Sequence, residues 1–141
     1  MPTLQSQRPP DFFSLVEHYG VFQPEGKLGK DEIVRSVDRA VLYCRENRID
    51  GLVADITLVT GLQRPSVSDL FWFITKLADT SQGKVAVAMV APAEMITPDK
   101  IGITVARNRG LRSEVFTNDA DARRWLRSEI AASKDSDGEL S

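Results

Sequence analysis

The sequence holds one cysteine and one histidine in 141 residues. A single cysteine excludes an internal disulfide, so a reducing cytoplasm is the expected setting. With only His18 and Cys44 of their kinds, the chain offers no converging metal-ligand set and no Ser-His or Cys-His pair. Long apolar runs are also missing. The longest are far shorter than the roughly 20 residues that cross a bilayer, so no membrane span is expected. The first residues show no charged start followed by an apolar stretch, so they do not read as a signal peptide. Neither sign of charge dominates: 18 basic and 20 acidic residues give a net charge of −2. That balance gives no long-range attraction to nucleic acid. No G-x-G-x-x-G is present, and Gly26-Lys-Leu-Gly-Lys30 lacks the spacing and the hydroxyl of a phosphate loop. No cofactor is expected.

What is present is an alternation of short apolar runs with amphipathic segments. Residues 1–10, ending in Pro-Pro, read as a flexible leader; 11–132 as one domain; and 133–141 as a disordered tail. Phe12–Val16 and Tyr19–Gln23 are strand-like and suggest a hairpin, with His18 a surface residue. Ile33, Val34, Val37, Ala40, Val41 and Cys44 follow helical spacing between Asp31 and Arg48, with acids at the start and arginines at the end. Gly51–Ile56 and Lys84–Ala91 are β-branched and apolar, as buried strands are. Between them, Ser66-Val-Ser-Asp69 has the spacing of a helix cap, and Leu70, Phe73, Ile74, Leu77 and Ala78 line one face. Thr97-Pro98-Asp99 starts a further helix and Gly110 stops it; Glu114–Thr117 is a short edge strand, and a last helix begins at Asn118. The order β-β-α-β-α-β-α-β-α predicts an α/β fold: one mixed, largely parallel sheet of about five strands packed with about four helices.

Candidate functional residues are few. Three consecutive aromatics, Phe71-Trp72-Phe73, cannot share one face of a helix that turns roughly 100° per residue. Phe73 falls on the core face and Phe71 at its margin, while Trp72 points outward beside Ser68, Thr75 and Lys76. Because Trp is enriched at binding hot spots, Ser66, Ser68, Trp72, Thr75 and Lys76 form a candidate surface for a protein partner or a second copy of the chain. Arg107, Arg109 and Arg112 are a candidate anion contact, though arginines around a helix C-terminus also complement its dipole. Phe71, Phe73, Met89 and Met95 suit a pocket for a small apolar ligand, and suit a core equally well. An enzyme would need a site built from Asp55, Arg64 and the arginine cluster, with no nucleophile to accompany it. A non-enzymatic module is therefore expected.

From Tyr19 to Leu126 the arrangement resembles the SpoIIAA-like branch of the STAS superfamily, the anti-sigma-factor-antagonist fold. The landmarks are the turn from Gly26 to Glu32, the strand Leu52-Val-Ala-Asp55-Ile, the strand Val85 to Pro92, and Val115-Phe116 leading to Ala122 and Trp125-Leu126. The resemblance implies a compact regulatory or partner-binding module, with a related branch that resembles lipid-binding domains. It makes Ser66 and Ser68 candidate phosphoacceptors at the start of the second helix. The Asp-Ser-Ser-Gly-type stretch of phosphorylated members is replaced here by Gln63-Arg-Pro-Ser66-Val-Ser68-Asp69, so Ser66 reads first as a cap.

Overall fold

The computed structural model describes residues 8–96 and 101–140, with side chains through Ser133. The first seven leader residues and the expected Thr97-Pro98-Asp99 cap lie outside the described residues. The elements in chain order are β1 (Phe13–Val16), β2 (Tyr19–Phe22), β3 (Gly26–Lys27), α1 (Lys30–Glu46), β4 (Gly51–Asp55) and β5 (Val59–Thr60). They continue with α2 (Val67–Ser81), β6 (Ala86–Val90), a short 3-10 turn (Ala93–Met95), α3 (Ile101–Asn108), β7 (Ser113–Phe116) and α4 (Asp119–Leu140). The chain is thus α/β, with four α-helices among the described residues and a five-stranded sheet in the order β1-β2-β4-β6-β7.

Only the β1–β2 pair is antiparallel; β2–β4, β4–β6 and β6–β7 are parallel. Glu17 and His18 make the turn of the β1–β2 hairpin, and Glu17 takes a left-handed φ of 55° to do so. His18 is exposed in that turn, not within a strand. Each parallel step moves across the sheet in the same direction. Crossovers of one hand then deliver their helices to one face. The packing agrees, because α1, α2 and α3 share a core with Phe22, Leu52, Ala54 and Val87. On the other face, α4 lays Ala122, Leu126 and Ile130 on Val21, Val53, Ala86, Ala88 and Val90. Strand alternation sorts the two sets, since neighbouring residues of a strand point to opposite faces.

The helical spacing read from the sequence holds in detail for α1, whose Ile33, Val34, Val37, Ala40, Val41 and Cys44 are all buried. Burial pushes the Cys44 thiol up to about 12, which keeps it protonated at neutral pH and a packing residue. At the other end of the chain, α4 continues through Leu140, so the segment expected to be a disordered tail from Ser133 is helical. Once a helix is nucleated, each added residue gains a hydrogen bond at little cost, and Ala131, Ala132, Lys134 and Glu139 are good helix formers.

Gly51 fixes how closely α4 approaches the sheet. A Cβ there would lie 2.7 Å from Leu126 Cδ1 and 3.0 Å from Ile130 Cδ1, and both side chains are buried. Gly51→Ala is expected to cost about 1–3 kcal/mol through overpacking. In a Leu126→Ala background the same change should cost much less. Urea unfolding of the four proteins of this cycle checks the coupling; additive costs would contradict the close approach.

Candidate functional site

Two short strands absent from the sequence reading organise one end of the molecule. The two-residue strands β3 and β5 pair in parallel, Gly26 with Val59 and Lys27 with Thr60. Gly26 N–H donates to Leu58 O and Leu28 N–H to Thr60 O, both at 3.2 Å. The turn before α1 is thereby joined to the loop that follows β4. Gly61 leaves β5 with φ +88° and would bring a Cβ within 3.3 Å of Lys27, so a side chain there would be strained as well as crowded. The only sequence signal for this small sheet is the β-branched pair Val59-Thr60 followed by a glycine, too short to separate from any other loop.

The loop continues into the cap foreseen at Ser66. Ser66 Oγ accepts from Asp69 N–H at 3.1 Å, and Ser66 N–H donates to Asp69 Oδ2 at 3.2 Å, a reciprocal capping box. Lys30 Nζ, at the start of α1, reaches Asp69 Oδ1 at 3.1 Å. The Ser66 N–H and Lys30 hold the Asp69 carboxyl below the usual carboxylate range. Farther along, Arg64 Nε donates to Glu94 O at 2.8 Å, linking the loop after β4 to the 3-10 turn after β6.

Behind these links lies a cavity of about 420 Å³ between the sheet and the three helices of its face. Met89, Ala91, Ser113 and Val115 form its floor; Ile33, Val34 and Val37 of α1 form one wall, and Leu70, Phe73 and Ile74 of α2 another. Met95, Ile96, Gly102 and Ile103 line the side toward α3. Exposed liners (Lys30, Gly61, Gln63, Arg64 and Trp72) mark the mouth. Protein interiors ordinarily close such spaces to voids near the size of a water molecule. Here the opposed walls are trimmed by Ala91, Gly102 and Ser113, and α3 buries only Ala106 fully. The consequence is visible in β6, where Met89 alone of five residues is not buried although the strand is paired on both sides. Phe73, Met89 and Met95 therefore line the cavity as the pocket expectation required. Phe71 does not: it is 46% exposed and stacks under the Arg109 guanidinium, 4.9 Å from the ring centroid.

The other sequence candidates are dispersed. Trp72 is 47% exposed; Val67, at 61%, and Phe71 lie one turn apart on a different flank of α2. Ser66 and Ser68 are exposed, while Thr75 and Lys76 are half-buried, with Thr75 Oγ1 enclosed and lacking a hydrogen-bond partner. Two of the three clustered arginines have separate engagements: Arg109 stacks on Phe71, and Arg112 reaches Gly83 O and Glu129. Arg107 is exposed at the end of α3. Asp55, 4% exposed, accepts from Gln23 Nε2 and from the N–H and hydroxyl of Thr57. By alternation it lies on the α4 side with Val53, opposite the cavity. Asp55 and Arg64 thus do not share a site. Among the described residues no group of three or more His, Cys, Asp or Glu could hold a metal ion, and no helix is long and apolar enough to cross a membrane.

No protein-family model matches the sequence, and no curated protein matches it.

The Asp69 links make a pH-dependent prediction. A carboxyl whose folded-state pKa is lowered adds stability above its unfolded value and loses it as pH falls through the folded one. Asp69→Asn should therefore be less stable than the parent at neutral pH. The difference should close in acid below the ordinary aspartate range. Urea midpoints at several pH values read this out; a pH-independent difference would argue against the links.

Proposed function

We propose that this domain is a non-enzymatic module that binds a small apolar ligand between its sheet and the helices α1, α2 and α3. One observation carries the proposal: a cavity of about 420 Å³ with predominantly apolar walls over strands β6 and β7. That volume falls within the roughly 300–1,000 Å³ typical of small-molecule pockets. Its walls are preformed, and each methylene moved from water into them is worth about 0.8 kcal/mol. The element order and the one-directional winding support a STAS-like architecture, and that superfamily has a branch that resembles lipid-binding domains.

A second reading rests on the outer face of α2. Val67, Phe71 and Trp72 of this one helix are each about half exposed or more, and exposed large apolar side chains suit a protein partner or a homodimer better than solvent. In this reading the contact centres on Val67 and the two aromatics, and not on Thr75 and Lys76. Sedimentation separates the readings: self-association weakened by Trp72→Ala favours the second, and a monomer unaffected by it favours the first.

Gly102 offers the direct test of the cavity. Among the described residues a Cβ there would meet only Leu70 Cδ2, at 3.9 Å, so a larger side chain has room. Gly102→Leu should keep or raise thermal stability, since replacing a helical glycine gains about 0.5–1 kcal/mol and the side chain fills empty space. The same change should weaken binding of an apolar probe followed through Trp72 fluorescence in a Trp125→Phe background. Undiminished binding by the stable variant would contradict the cavity as the site.

A further inference from the structure

We infer that the ligand of this cavity is an amphiphile with an anionic head, its tail among the apolar walls and its carboxylate or phosphate on Arg64 at the mouth. The inference rests on the ligand-binding reading above and adds the chemical class of the ligand.

Among the described residues, the charges that line the cavity are Lys30, Arg64 and Asp69. Two cations and one carboxylate leave a net charge of +1, all of it at the mouth. Lys30 and Asp69 are spent on each other at 3.1 Å, and Asp69 also accepts from the Ser66 N–H. The nearby Glu32 carboxylate is turned back on the Gly29 N–H at 3.2 Å. Arg64 is different. Its Nε is fixed on Glu94 O, which orients the guanidinium, while its terminal nitrogens make no hydrogen bond or ion pair with any described residue. A guanidinium held by one edge presents its other donors as a planar fork, the geometry that takes a carboxylate or phosphate in two parallel bonds. The cap of α2 lies two residues farther along the chain, and the exposed N–H groups of its first turn add to the positive potential around an anion.

The interior asks for the opposite chemistry. Val34, Phe73, Met89, Ile103 and Val115 supply no charge and no hydrogen-bonding side-chain group, and Ser113 is the one hydroxyl of the floor. A fully polar anion would leave these walls unfilled, and a plain hydrocarbon would leave the Arg64 fork unused. A cationic head would meet Lys30 and Arg64 together. An anionic head joined to a tail satisfies both ends of the site.

The test is a comparison of four ligands of one tail length, below their aggregation concentrations, on the full chain by calorimetry: dodecanoate, dodecyl phosphate, dodecanol and dodecylamine. Inorganic phosphate alone is a fifth arm. One or both acids should bind at least about tenfold tighter than dodecanol, the difference expected for a charge-assisted hydrogen-bond pair. Arg64→Gln should erase that preference while leaving dodecanol binding unchanged, which also shows that the variant's cavity is intact; Arg64→Lys should restore part of it. Whichever acid prevails identifies the head as carboxylate or phosphate.

Equal binding of dodecanol and both acids, tighter binding of dodecylamine, or a preference that survives Arg64→Gln would overturn the inference and leave the cavity reading standing. Inorganic phosphate binding as tightly as dodecyl phosphate would also overturn it, because the tail would then contribute nothing. No binding of any tailed ligand would sink both the inference and the reading on which it rests.

Discussion

The structure depends on one topological constraint: the parallel strands are added in a single direction, from β2 through β4 and β6 to β7. Because the order never reverses, there is no switch-point crevice at the strand ends of the kind that serves doubly wound sheets. Three crossover helices must instead share one face of a narrow sheet. α1 and α2 pack on the centre, and the short α3 meets them over β7 with only Ala106 fully buried. Where those helices fail to close, small residues on the floor and on α3 leave the cavity. On the opposite face α4 packs closely, because Gly51 lets Leu126 and Ile130 come down onto the strands.

Much of this was legible in the sequence, for identifiable reasons. The spacing of Ile33, Val34, Val37, Ala40, Val41 and Cys44 marks α1 because a helix buried on one side repeats its apolar residues with the helical period. Ser66 and Asp69 mark the start of α2 because the cap is a local interaction that needs no tertiary context. The largely parallel pairing follows from the helix-length connections between successive strands. The β3–β5 pair escaped because two residues carry no period and its partners are distant in sequence. The helical course of α4 beyond Ser133 escaped because a polar stretch without an apolar stripe does not announce a helix that is propagated from its neighbour.

The site was legible only in fragments. Phe73, Met89 and Met95 were marked for a pocket, but composition does not tell a pocket from a core: the same residues fill either. The difference lies in the small residues beside them, Ala91 on the floor and Gly102 on α3, and that juxtaposition exists only after folding. Arg64 drew attention through a supposed association with Asp55 that strand alternation breaks, since Asp55 faces α4. Its position at the mouth depends on the bond to Glu94 O, a contact between residues 30 apart in sequence. Trp72 stood out as a residue the core does not absorb; it is half exposed and lies at the cavity mouth.

The central claim is that the space beneath α2 and α3 receives a ligand's apolar part. Met89 and Met95, two of the three methionines, both line it, one on the floor and one on the side toward α3. Methyl-labelled methionine NMR of the full chain during titration with a tailed amphiphile therefore looks directly into the cavity. Occupancy predicts that both methyl signals shift together and show cross-relaxation to the ligand's methylenes. Unmoved signals from Met89 and Met95 in protein that has demonstrably bound the ligand would place it elsewhere and contradict the claim.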